Sequence, residues 1–244
     1  MFACLADAPP SRLLDLASGT GEPALFFARS LPGAQVTATD LAADILTVGE
    51  ELARSASQAN IEFRQASADS LPFADCTFDA ITCRWGAMFF PNLRAALREC
   101  RRVLQPAGRI VMLAWCAIGE QPFFLHTVGT LRKQLGLPLE ESEDEPNPFC
   151  LRRPEKLAEA LTSAGFGDVS AQSHTLEFAW PGPPREPWTF WTEISSSYRA
   201  PLDSLTEDER RSLGESAEAA FRRFYDGTAV RVPARVMLAT GVRP

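Results

Sequence analysis

From residue 12 onward, short apolar runs alternate with amphipathic stretches, and the alternation stays regular as far as residue 116. The runs predict strands at Arg12–Leu16, Gln35–Thr39, Ile61–Gln65, Thr77–Arg84 and Arg109–Cys116, the last a continuous apolar strand of the buried kind. Between them, helices are expected at Glu22–Leu31, Ala42–Ser57 and Leu93–Leu104, with Pro23 in the first helical turn, where a missing amide costs nothing. Leu93, Ala96, Leu97, Cys100, Val103 and Leu104 recur at helical spacing and define a core stripe. Arg94, Arg98, Arg101 and Arg102 fall on the other face and read as a solvated surface. Pro106, Ala107 and Gly108 read as a turn.

Beyond residue 116 the rhythm loosens. Pro122–Leu135 reads as one helix, the acidic run at 140–148 as a solvated loop, Glu155–Ala164 as a helix and Val169–Phe178 as a strand. A proline-rich connector at 180–188 can be neither central strand nor helix interior. Thr206 and Glu209 form the two ends of a capping box for a helix carrying Leu213, Ala217, Ala220, Phe221 and Phe224 on one face, with Gly227 as its stop. A last strand is expected at Arg231–Thr240. The pattern predicts an α/β fold, a mostly parallel sheet between helical layers with largely helical sequence interrupting the last two strands.

Composition narrows what such a fold can do. At 244 residues, 45% hydrophobic and 23% charged, the chain has material for one sizeable core and is not disordered. A net charge of −7 makes nucleic acid a poor partner. No apolar run reaches membrane-span length and Met1–Pro10 lacks the makeup of a signal peptide, so a cytoplasmic protein is expected. The six cysteines contain no CxxC pair, so neither zinc nor a disulfide framework is indicated.

The chemistry concentrates at LLDLASGTGEPA, residues 13–24, where the first strand meets its helix. Gly19 and Gly21 permit a sharp turn and close approach of a ligand to the backbone. Asp40 closes the second strand, where a carboxylate can accept both hydroxyls of a ribose. The spacing of this pair suits NAD as well as any other ribose-bearing cofactor.

Two further blocks, ASADSLPFADCTFDAITCRWGAMFF at 66–90 and LRECRRVLQPAGRIVMLAW at 97–115, together with TATDLA at 37–42, resemble the class I S-adenosylmethionine-dependent methyltransferases, in particular the ubiquinone/menaquinone biosynthesis C-methyltransferase group. The resemblance covers most of residues 11–116. It implies a Rossmann-like, doubly wound, mostly parallel seven-stranded sheet with an antiparallel last strand. It implies a single domain over 1–244, with a cofactor-binding half at 11–116 and substrate-side helical insertions at 117–152 and 180–230. S-adenosyl-L-methionine would be the cofactor. Asp15 and the backbone at Ala17, Gly19 and Gly21 would surround its methionine part, Asp40 its ribose, and Leu41, Ala68 and Asp69 its adenine, with Asp69 on the amino group. Arg84 and Trp85 would lie near the amino-acid end and the methyl group. Ala17 stands where the family's turn usually has its first glycine, and Asp79 reads as structural.

The resemblance further implies methyl transfer to a small aromatic or lipophilic acceptor, at carbon or oxygen. CRWGAMFF stands where nucleic-acid base methyltransferases carry Asn/Asp-Pro-Pro-aromatic, and no acidic residue follows Arg84 until Glu99, so neither nucleic acid nor metal is expected. Trp85, Phe89, Phe90, Phe123, Phe124, Trp188 and Trp191 could line an acceptor pocket, and Trp180–Asp226 could act as a lid. Of the two histidines, His126 and His174, the first follows the fifth strand and is the candidate base. Relatives carry a few tens of residues before the first strand where this chain has Met1–Ser11, so either the start lies upstream or another segment covers the pocket. An NAD-dependent oxidoreductase and a non-catalytic cofactor-binding protein are the alternatives.

Overall fold

A computed structural model describes residues 1–195 and 198–244. Seven strands form one sheet in the order β3-β2-β1-β4-β5-β7-β6: β1 Arg12–Leu16, β2 Gln35–Asp40, β3 Ile61–Gln65, β4 Phe78–Arg84, β5 Leu104–Trp115, β6 Gly167–Pro181 and β7 Ala229–Val242. The first five are parallel where they pair, with Leu14 opposite Thr37 and Ile81, and Ile81 opposite Ile110. β7 runs antiparallel to β5: the Ala107 amide donates to Arg243 O, that of Arg243 to Gly108 O, and, further up, that of Cys116 to Arg235 O. This is the doubly wound arrangement expected, and the strand order reverses between β1 and β4, the place where such sheets bind ligands.

The helices, in chain order, are α1 Ala3–Ala6, α2 Ala24–Ser30, α3 Ala43–Ser55, α4 Leu93–Val103, α5 Pro122–His126, α6 Val128–Gln134, α7 Pro154–Ser163, α8 Glu186–Ile194, α9 Arg199–Asp203 and α10 Glu207–Phe221. The residues fall into two compact units. The first comprises Met1–Trp115, Glu143–Ser173 and Met237–Pro244; the second Cys116–Ser142 and His174–Val236.

In the first unit, β1, β2 and β4 are buried along almost their whole length, whereas the edge strand β3 alternates. That is why the central strands read as continuous apolar runs. Leu13, Val36, Ala38, Ala80 and Val111 pack against Leu5, Ala24, Phe27 and Ala28 of α1 and α2. The Asn92 side chain caps α4 by accepting the Ala95 amide at 3.0 Å. Asp79 accepts the amides of Ser11 and Arg12 at 2.9 and 3.1 Å, tying the entry of β1 to β4, which is the structural role expected of it.

Several local expectations change. The Pro106–Gly108 turn lies inside β5 as a bulge: Phe78 faces Leu104 but Ala80 faces Arg109, and Ala107 takes φ +63°. The arginine face of α4 is not uniformly solvated, since Arg101 Nε donates to Gly165 O at 3.0 Å and Arg102 is held by several acceptors. The acidic run is not simply a solvated loop either. The Glu143 side chain, 14% exposed, binds Arg152 at 3.0 Å and Arg153 at 2.7 Å, which pulls its carboxyl below the usual range, and Asn147 is buried.

In the second unit the expected 122–135 helix is two helices. Thr127 breaks it at φ −109°, ψ −91°, its hydroxyl donating to Phe123 O at 2.7 Å. Strand β6 runs through Trp180 to Pro181, with the proline at its end, where no ladder amide is lost. Ala217, Phe221, Val230 and Val232 form a small core with Phe123, Phe178, Trp180, Trp188 and Phe224 packed on it. The capping box of α10 forms as expected, with Thr206 accepting the Glu209 amide and Glu209 accepting the Thr206 amide at 2.8 Å. The helix ends at Phe221, ahead of Gly227. Thr206→Ala removes one arm of the box and is expected to lower unfolding stability by about 1 kcal/mol in urea titrations; an unchanged midpoint would show that the cap contributes nothing.

Candidate functional site

The turn after β1 is built from backbone that only small residues adopt readily. Ala17, Gly19 and Gly21 have φ of +50°, +55° and +102°. At Gly21 the backbone at φ +102° is what requires glycine; an added Cβ would also crowd the Leu25 side chain at 3.0 Å. Ala17 is the departure from the family pattern, and the structure shows what accommodates it. A Cβ on Gly86 would stand 2.3 Å from the Ala17 Cβ, so residue 86 must be glycine while residue 17 carries a methyl group.

Asp40 ties this turn to β2. Its Oδ2 accepts the Gly19 amide at 2.9 Å and its Oδ1 the Ala42 amide at 3.0 Å. The Ser18 amide donates to Thr39 O at 2.9 Å, and the Thr39 hydroxyl to Asp15 O at 3.0 Å. These bonds hold the ends of β1 and β2 in one rigid ledge, leaving each Asp40 oxygen a second lone pair for a ligand hydroxyl.

Beneath the ledge, Asp15 is fully buried. Its Oδ1 accepts the Thr82 hydroxyl, while Oδ2 and the nearby Ser18 Oγ have no hydrogen-bond partner in the protein. Burial, only partly offset by that hydroxyl and by Arg84, pushes the carboxyl up to about 7. The Ala24 amide also favours the charged form, and a buried oxygen with no full hydrogen bond in the protein next to this turn suits a cationic ligand group.

Above the ends of β1, β2, β3 and β4 opens a cavity of about 330 Å³. Ala17, Asp40, Leu41, Ala68, Asp69 and Trp85 line it, so the expected site residues converge from four separate segments. Asp15, Gly19, Gly21 and Arg84 are not part of its lining. Arg84 Nη2 donates to Glu22 O at 2.8 Å, and its guanidinium lies 4.9 Å from the centre of the Trp85 ring. Trp85, at φ +57°, stacks on Trp115 with ring centres 4.5 Å apart. Leu41 is 68% exposed at the rim. The lining also includes Ser67, Gly86 and Asn92, which the sequence reading passed over, and Phe89 and Phe90, which it had placed with an acceptor. Ser67 was legible only as the first residue of a serine-bounded turn. Asn92 signals itself as a helix cap.

The remaining candidates lie in the second unit. His126 sits at the end of α5, its ring edge-on to Phe221 and its Nε2 3.2 Å from Arg223 Nη2. Burial and then the arginine charge lower its pKa, favouring the neutral imidazole. Phe123 stacks on Trp180 at 4.8 Å, with Phe124 and Phe190 beside it, and Trp188 meets Trp191 at 5.3 Å. His174 lies exposed on β6.

Comparison with known proteins gives the family by sequence, and solved structures share the fold. The pattern described as Methyltransferase domain matches residues 14–112. A demethylmenaquinone methyltransferase of Porphyromonas gingivalis is 31% identical over 180 residues, 70% of this chain and 74% of that protein. Its counterpart in Thermus thermophilus is 42% identical over 104 residues, 43% of this chain and 47% of that protein, so here the match spans about half of the relative's length. Among solved structures, the YcgJ protein from Bacillus subtilis superposes with a TM-score of 0.61 at 21% identity, covering 99% of this chain and 97% of that one. Phosphoethanolamine N-methyltransferase 2 of Haemonchus contortus, solved with S-adenosylhomocysteine, superposes with a TM-score of 0.59 at 17% identity over 99% of this chain and 52% of its own.

Proposed function

Because the chain belongs to the class I S-adenosylmethionine-dependent methyltransferases and resembles the ubiquinone/menaquinone C-methyltransferase group, we propose that it methylates a small aromatic or lipophilic acceptor, at carbon or oxygen. The observation that carries this reading is the cavity where Asp40, Asp69 and Trp85 meet above the strand ends. The residues fit the cofactor. Asp40 would take the ribose hydroxyls, Leu41 and Ala68 the faces of the adenine, and Asp69 its amino group. The partnerless Asp15 Oδ2 supports an ammonium group at the methionine end, beside the Gly19–Gly21 backbone. Arg84 would stiffen the turn through Glu22, and Trp85 would bound the methyl end.

When bound, S-adenosylmethionine supplies an already activated methyl group, so the protein's part is chiefly alignment and exclusion of water. Phe89 and Phe90 bring apolar surface to the same cavity, which suits a planar or lipid-like acceptor such as a quinol. His126 is proposed as the base that accepts the acceptor's hydroxyl proton, and the neutral form its surroundings favour is the form that role needs. Residues 180–226 are proposed as the acceptor cover, with 11–116 as the cofactor-binding part. Among the described residues no helix is long and apolar enough to cross a membrane; a cytoplasmic setting, with a small-molecule partner and no nucleic acid, belongs to this reading.

Calorimetric titration with S-adenosylhomocysteine and, separately, with NAD tests the cofactor assignment. Micromolar binding of the first and none of the second is expected, and the reverse would overturn it. Labelled-methyl transfer to a panel of quinols, phenols and lipids then identifies the acceptor. His126→Gln should reduce turnover at least tenfold while leaving S-adenosylhomocysteine affinity unchanged. Undiminished turnover would remove His126 from the chemistry.

A further inference from the structure

Asp69, the proposed adenine contact, stands on a tight turn. The Ser70 amide donates to Ser67 O at 3.1 Å and the Ser67 hydroxyl to Asp69 Oδ1 at 2.6 Å. The chain that follows, residues 71–75, belongs to no helix or strand. Yet it is gripped by two side chains one turn apart on α4. Glu99 Oε2 accepts the Leu71 amide at 2.9 Å. Arg102 donates through Nη2 to Leu71 O at 2.9 Å, and through Nη1 to Phe73 O and Asp75 Oδ1, both at 2.8 Å. The two side chains are locked together, Arg102 Nε to Glu99 Oε1 at 2.8 Å and Nη2 to Oε2 at 2.7 Å. The grip thus uses the whole guanidinium fork, a geometry that lysine cannot reproduce.

Both ends of the Leu71 peptide, two residues from Asp69, are therefore fixed to the one helix, α4, that also contributes its capping Asn92 to the cavity wall. We infer that Glu99 and Arg102 are positioning residues that set where Asp69 stands in the cavity, and through it the preference for adenine over a base bearing oxygen at that position. The inference rests on the cofactor reading above. Arg102 touches no cavity atom; its effect passes through the backbone at 71–75. The mutual ion pair holds the Glu99 carboxyl below its usual range, so the clamp is charged across the neutral pH range. A carboxylate held in place accepts a bond from the amino group of adenine and repels the carbonyl oxygen of hypoxanthine.

The test is calorimetric titration of S-adenosylhomocysteine and S-inosylhomocysteine into the wild type, Arg102→Lys, Glu99→Gln, Asp69→Ala and the Arg102→Lys/Asp69→Ala double variant. Arg102→Lys and Glu99→Gln are each expected to weaken the adenine compound about tenfold, to leave the inosine compound unchanged, and to have no further effect once Asp69 is alanine. Equal weakening of both compounds, no weakening of either, or an undiminished loss in the double variant would each overturn the inference. If Arg102→Lys does not fold, Glu99→Gln decides the matter alone: it keeps an acceptor for the Leu71 amide, so the fold is spared, but removes the carboxylate that locks the guanidinium of Arg102. Failure of the cofactor reading looks different: the wild type would not bind S-adenosylhomocysteine, or Asp69→Ala would bind both compounds as the wild type does, and the inference would fall with it.

Discussion

Gly86→Ala should destabilise the protein by about 3 kcal/mol, the upper end of what over-packing usually costs. The new Cβ would lie 2.3 Å from the Ala17 Cβ and 3.1 Å from Cys83 Sγ; Cys83 is buried in β4, and Ala17 stands on the turn that the Gly19 and Ser18 amides tie to β2, so neither retreats freely. Over-packing here would also push the end of β4 away from the β1 turn and distort the cavity wall, so S-adenosylhomocysteine binding should be lost with it. The sharper expectation concerns a second change. In an Ala17→Gly background the closest contact disappears and the remaining ones, at 3.1 Å to Cys83 Sγ and 3.6 Å to Ala17 Cα, are mild. Gly86→Ala should then cost about 1 kcal/mol, a coupling of about 2 kcal/mol in a double-mutant cycle read by urea denaturation. Ala17→Gly alone should be nearly neutral, because relief of about 1 kcal/mol at φ +50° is offset by the greater freedom of glycine in the unfolded chain. Additive effects of the two substitutions would refute the steric account of why residue 86 is glycine.

The second large effect belongs to Asp15→Asn and depends on pH. In the folded, cofactor-free protein burial lifts the Asp15 carboxyl to about 7, above its ordinary 3.8. Between those values the native state holds a proton that the unfolded chain has released, so stability falls as pH rises through this window and levels off above it. A three-unit difference corresponds to about 4 kcal/mol. Asparagine cannot ionise and still accepts the Thr82 hydroxyl. The variant should therefore match the wild type near pH 4 and exceed it by several kcal/mol at pH 8, its stability curve flattened across the interval. Equal pH dependence of the two proteins would show that Asp15 ionises freely in the fold. Cofactor affinity should move the other way, with Asp15→Asn binding S-adenosylhomocysteine more weakly at pH 8, because the site loses the negative charge proposed to face its ammonium group. Stability and binding thus pull against each other at a single buried oxygen.

How much of this was legible beforehand depends on the physics that governs each part. The central strands and the glycine turn were readable because burial on both faces and positive φ leave direct marks in residue type, as at Leu13–Leu16 and Gly19–Gly21. The capping box at Thr206 and Glu209 was readable because both partners lie within four residues. The Pro122–Leu135 segment misled because its periodicity is continuous, and the break is a backbone turn at one residue, Thr127, that side-chain pattern does not mark. Arg101 and Arg102 misled because their partners, Gly165 O and Leu71 O, are remote in sequence and are main-chain atoms, which carry no signature in a list of side chains. The same holds for Gly86, whose reason is a methyl group sixty-nine positions away.

The place of β7 has a consequence for synthesis. Residues 1–115 include all five parallel strands, and in the finished sheet the fifth is flanked by a strand that begins only at Ala229. A chain still emerging from the ribosome can assemble β3-β2-β1-β4-β5 with the apolar strand Arg109–Trp115 as an open margin, its backbone groups unpaired on one side, for the time taken to make more than a hundred further residues. Nascent chains stalled in that interval should be the species that chaperones hold and that clump when expression is driven hard. Slower translation will not shorten their exposure; earlier delivery of the closing strand, as in a circular permutant that begins with it, will.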